Sequence, residues 1–92
     1  MVSVNHHYTY MWIGNERGWI FDNLTGKTML LNKTALEIFK CMLEGMNNNE
    51  TISFLSNKYN QEAFKIEQQI TDIIKSIKEF GIFKNAGKEI EI

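Results

Sequence analysis

Residues 26–43 read Gly-Lys-Thr-Met-Leu-Leu-Asn-Lys-Thr-Ala-Leu-Glu-Ile-Phe-Lys-Cys-Met-Leu, and one residue separates a strand from a helix in this stretch. A turn signal precedes residues 27–31, whose apolar residues stop at Asn32, which is how a short strand is bounded. Asn32 is a favourable helix N-cap, because its short side chain can accept a hydrogen bond from an unpaired amide of the first turn. Ala35, Leu36, Ile38, Phe39 and Met42 then recur at helical spacing. A junction this tight fixes the strand against the helical layer. Any larger architecture must be built around it.

Upstream, residues 8–13 are rich in aromatic and branched side chains, and Gly14-Asn15-Glu16-Arg17-Gly18 leads as a hairpin loop into a second strand at residues 19–22. A further turn at residues 22–26 feeds the third strand. The expectation is a three-stranded antiparallel meander, which needs a layer packed on one face to be stable. The helices supply that layer. The first ends at Glu44-Gly45, and a polar loop follows at residues 46–49. Asn49 or Thr51 is expected to cap a short second helix carrying Ile52, Leu55 and Tyr59, which Asn60-Gln61 breaks. The third and longest helix is expected over residues 62–80, with Ile66, Ile70, Ile73, Ile74 and Ile77 on one face and a stop at Gly81. Ile82 and Phe83 fold back after that stop. Residues 1–7 read as a flexible lead-in, residues 8–83 as one domain, and residues 84–92 as a tail, either disordered or a short strand. The fold class is therefore α+β, a three-stranded antiparallel N-terminal sheet followed by three α-helices.

Composition narrows the function classes. Apolar residues make up 43% and aromatic residues 12% of the 92, as in a globular chain with one modest core. A net charge of -1 argues against a protein whose affinity comes from neutralising phosphates. The single cysteine excludes an internal disulfide framework and suits a reducing compartment, and no apolar run approaches the roughly 20 residues that span a bilayer. The expected address is the cytoplasm, with no membrane partner. Proline is absent, so no strand edge is blunted by it.

No catalytic apparatus is visible. No serine or cysteine stands in a nucleophile setting, the Gly14 to Gly18 loop lacks the lysine of a phosphate loop, and His6 and His7 have no partners at metal-ligand spacing. Cys41 lies in a core-type helical pattern and reads as a buried thiol. No cofactor or metal is expected. A winged-helix reading brings DNA binding into consideration, yet the third helix interleaves Glu62, Glu67, Asp72 and Glu79 with Lys65, Lys75 and Lys78, charges of mixed sign, instead of gathering one basic face. Self-association through an open strand edge is the other rival.

The ordered set Leu31-Asn32, Ala35, Ile38, Gly45, Ile52, Leu55, Tyr59, Ile66, Ile70, Ile74, Ile77 and Gly81-Ile82 resembles the PqqD family, the small proteins and domains called RiPP recognition elements. The resemblance spans residues 19–83 and lies in the spacing of core and cap positions. It implies a winged-helix-like fold and a non-catalytic adaptor, which binds the leader segment of a ribosomally made precursor peptide and presents it to a modifying enzyme, often a radical SAM enzyme. In that family the leader is added as a strand along the third strand, beside the third helix. On this chain those surfaces are Lys27, Thr28, Met29, Leu30 and Leu31 together with Lys65, Gln69, Asp72, Ile73 and Ser76. By alternation from the Leu31 junction, Met29 and Leu31 face the core while Thr28 and Leu30 face away, and Lys27 guards the edge against self-pairing. Gln69 stands where the family commonly has aspartate, which removes an ionic contact to a leader there.

Overall fold

The computed structural model describes residues 2–84, and the expected tail lies, from residue 85 onward, outside the described residues. Three strands precede three helices: β1 (Tyr8–Ile13), β2 (Arg17–Asp22), β3 (Thr28–Leu31), α1 (Lys33–Leu43), α2 (Asn48–Lys58) and α3 (Ala63–Phe80). The sheet is an antiparallel meander in the order β1-β2-β3, as expected, so β1 and β3 are its two edges.

The register fixes which side chains share a face. Tyr10, Ile20 and Met29 form one row on the helical side, and Trp12, Gly18 and Leu31 the next. Gly18 is the close approach in this layer. A Cβ there would stand 2.7 Å from the Met11 carbonyl oxygen and 3.1 Å from Leu36 Cδ1, so α1 can press on β2 only because that position has no side chain. Ile20, Leu36, Ile38, Phe39, Ile77 and Ile82 are fully buried, each worth about 1.5–3 kcal/mol against exposure.

The caps explain where the helices begin and end. Asn32 Oδ1 accepts from the Ala35 amide at 2.9 Å, as the sequence predicts. The start of α2 differs from expectation. Its cap is Asn47, not Asn49 or Thr51: Asn47 accepts from the Glu50 amide, and the Glu50 carboxylate accepts from the Asn47 amide, each at 2.8 Å. Thr51 is instead fully buried, its hydroxyl donating to the Asn47 carbonyl at 2.9 Å. At the far end of α3, Gly81 adopts φ 96° and lies under Tyr8, whose hydroxyl would stand 2.7 Å from any Cβ there.

Residues 3–5 and Tyr8 are tied to that same end, although the sequence suggests a loose lead-in over residues 1–7. Val4 bridges to Phe83, the Asn5 amide donates to the Ile82 carbonyl at 2.9 Å, Asn5 Nδ2 donates to the Gly81 carbonyl at 2.7 Å, and the Tyr8 hydroxyl donates to the Phe80 carbonyl at 2.6 Å. Among the described residues no helix is long and apolar enough to cross a membrane.

Candidate functional site

β3 is held in place from both ends. Before it, Asp22 organises the turn: its Oδ1 accepts from the Leu24 amide at 2.9 Å and lies 3.1 Å from His7 Nδ1, while its carbonyl accepts from the Gly26 amide at 2.7 Å. Burial raises the Asp22 pKa, but the hydrogen bonds that its carboxylate accepts from Leu24, Thr25 and His7 outweigh it and hold the carboxyl below its ordinary value. After β3, the Asn32 cap starts α1 at once.

The ladder then decides which backbone groups are free. The Asp22 amide donates to the Lys27 carbonyl at 2.9 Å, so Asp22 and Lys27 form a hydrogen-bonded pair. By alternation Ile20 with Met29, and Gly18 with Leu31, are the others. Thr28 and Leu30 therefore direct both N–H and C=O away from β2. Among the described residues no strand takes them up.

The side chains divide as alternation requires. Leu31 is 2% exposed and belongs to the core, so its side chain offers nothing to a ligand. Met29 is half-buried on the helical side. Thr28 is exposed and Leu30 is 78% exposed on the opposite face. Lys27 is exposed at the start of the edge.

α3 packs chiefly on α2 and α1 and makes no comparable packing with β3. Its core side is Ile70, Ile74 and Ile77, while Ile66 and Ile73 are half-buried at its margin and reach the same core cluster as Met29. Lys65, Gln69, Asp72 and Ser76 are exposed along the helix. Asp72 accepts from Gln68 Nε2 at 2.9 Å, which turns that carboxylate toward its own helix. Gln69 also borders a cavity of about 190 Å³ with Thr34, Leu55, Tyr59, Ile66 and Ile70, where the start of α1 and the end of α2 meet α3. The exposed charges of α3 are of mixed sign, so the helix presents no basic stripe for phosphates.

Sequence patterns did not reveal Glu37. It is only 8% exposed, inside the buried stripe of α1, and accepts hydrogen bonds from Lys58 and the Tyr59 hydroxyl at the end of α2. Burial raises its pKa, but those bonds and the Lys58 charge outweigh it and hold the carboxyl below its ordinary range. The bond to Glu37, with burial, pushes the Tyr59 hydroxyl up to about 12. The cluster ties α2 to α1 and so sets one wall of the cavity beside Gln69. Cys41 is buried, and burial with Glu44 and Glu37 nearby pushes its thiol up, away from the reactive thiolate. Among the described residues no group of three or more His, Cys, Asp or Glu is placed to hold a metal ion.

No family model matches the chain and no curated protein matches it, so the PqqD resemblance has no support at the level of sequence families. One solved structure is similar: TbiB1 in complex with the TbiA(beta) leader peptide, at TM-score 0.76 and 13% identity, with 92% of this chain and 98% of that chain covered. At that identity the likeness establishes a shared fold: this chain has the fold of a protein solved with a leader peptide bound.

Proposed function

We propose that this chain is a non-catalytic peptide-binding adaptor, a RiPP recognition element. It takes the leader of a ribosomally made precursor peptide as a fourth strand on β3, beside α3, and presents the remainder to a separate modifying enzyme, of which a radical SAM enzyme is the type the sequence resemblance suggests. The observation that carries this reading is the open β3 edge. Thr28 and Leu30 offer unpaired main-chain groups there, on either side of half-buried Met29. The shared fold with the leader-bound TbiB1 supports it.

The energetics are adequate. Each main-chain hydrogen bond to Thr28 or Leu30 contributes about 0.5–1.5 kcal/mol net, and each peptide side chain buried against Met29, Ile66 or Ile73 about 1.5–3 kcal/mol. Four such bonds and three such side chains give a gross gain of about 6–15 kcal/mol, so a complex of micromolar strength, roughly 8 kcal/mol net, needs a contact at the upper end of that range. Affinity is then largely generic and specificity lies in the pockets that receive alternate side chains.

Peptides selected on the protein from a random twelve-residue library should move the amide resonances of Thr28, Leu30, Gln69 and Ile73 in the labelled protein. Failure to select any binder, or shifts confined to the β1–β2 loop, would sink the reading. A short precursor and a peptide-modifying enzyme encoded beside this chain would identify both partners.

A further inference from the structure

The face of the sheet turned away from the helices is unusually apolar. Its rows are Met11, Trp19 and Leu30, then Thr9, Phe21 and Thr28, and at the other end Ile13 and Arg17. Met11 is 52%, Ile13 51% and Leu30 78% exposed. The last row is incomplete. β3 stops at Leu31 and Asn32 turns away to cap α1, so no β3 residue stands beside Arg17. In its place is an open cavity of about 480 Å³, walled by Ile13, Trp19 and Leu30 and rimmed by Glu16, Arg17 and Asn32.

A strand added to β3 sends every second side chain to this face. One of them extends the row of Leu30. The next, two residues further along the peptide, falls beside the incomplete row and can lean over Asn32 into the cavity. The walls are apolar, and neither Glu16 nor Arg17 is in an ion pair among the described residues. A guanidinium without a carboxylate stacks well on an aromatic face. The volume also exceeds what one small aliphatic side chain fills.

We propose that the cavity between Ile13, Trp19 and Leu30 is a second specificity pocket, which takes an aromatic side chain from the outward face of the peptide bound on β3, under the Arg17 guanidinium. The inference rests on the strand-addition reading above. The bound peptide is then gripped on both faces of the extended sheet, by Met29 and Ile73 on one and by this pocket on the other.

The test uses a peptide selected on the protein from the random twelve-residue library, in a Trp12→Phe background where Trp19 is the remaining tryptophan. Titration should shift Trp19 emission to shorter wavelength. Replacing one outward aromatic of the peptide by alanine should weaken binding about tenfold and abolish the emission shift. Ile13→Ser should weaken the parent peptide similarly and leave the alanine peptide unaffected, so that the two losses do not multiply. Arg17→Gln should narrow the preference for phenylalanine over leucine at that position. If the Thr28 and Leu30 amides shift on binding but no outward position prefers an aromatic, or if the losses multiply, the pocket is overturned while strand addition stands. If those amides do not shift with any selected peptide, both readings fall. Should Ile13→Ser lose its dispersed spectrum, the alanine, leucine and phenylalanine peptides read against Trp19 emission decide the matter alone.

Discussion

The sharpest prediction concerns adjacent residues of one strand. Proline at Thr28 removes an N–H that points out of the sheet, whereas proline at Met29 removes one that pairs with Ile20, whose side chain is fully buried. Thr28→Pro should therefore keep the fold, since an edge position whose amide faces outward is where sheets tolerate proline. Its cost to folding should stay near 1 kcal/mol. Its cost to peptide binding is larger: one main-chain bond is lost and the ring crowds the incoming strand, about 1–3 kcal/mol together, or roughly 5- to 150-fold in affinity. Met29→Pro should instead cost about 3 kcal/mol or more in stability, because a ladder bond over the core is broken. Urea denaturation measures the first quantity and calorimetric titration of a library-selected peptide the second. A Thr28→Pro protein that stays folded and binds with unchanged affinity would refute strand addition at β3.

Other outcomes follow from the same structure. The Glu37 carboxyl is held below its ordinary 4.5, so its contribution is complete above that pH and is lost as pH falls toward the folded value. Tyr59 is raised from 10.0 to about 12, so its contribution is complete below 10.0 and is lost as pH rises to about 12. Denaturation midpoints should accordingly fall at both extremes, with part of the alkaline loss absent in Tyr59→Phe. Gly18→Ala should cost about 1–3 kcal/mol in thermal unfolding, because the methyl meets the Met11 carbonyl and Leu36. Asn32→Ala should cost about 1 kcal/mol and slacken the end of β3, read as faster amide exchange in the first turn of α1.

Local signals in the sequence were enough for most of the framework, and the reason is visible residue by residue. Asn32 announces α1 because its cap partner is three residues away, and Gly81 ends α3 because a left-handed residue is a local demand. The isoleucine stripe likewise gives the core side of α3 as Ile70, Ile74 and Ile77. The start of α2 misled because asparagines stand in a row, and the deciding feature is Glu50, which closes a capping box with Asn47 alone. Glu37 was not legible, since its partners Lys58 and Tyr59 are more than five helical turns away along the chain. The ties of Val4 and Asn5 to residues 81–83 join the two ends of the domain and leave no local trace. On β3, alternation gave the faces of Thr28, Met29, Leu30 and Leu31, but the pocket at Ile13 depends on where β3 stops relative to β2, which only the register reveals.

Those ties at Val4, Asn5 and Tyr8 also orient the molecule as a module. They lie on the β1 side of the sheet, and the strand order sets β3 two inter-strand spacings, about 10 Å, across from β1. Val4 and Phe83 therefore meet at one corner of the domain, on the side of the sheet away from the β3 edge. The same proximity makes a direct covalent link between positions 4 and 83 geometrically short, since the bridge already holds them on adjacent strands of backbone.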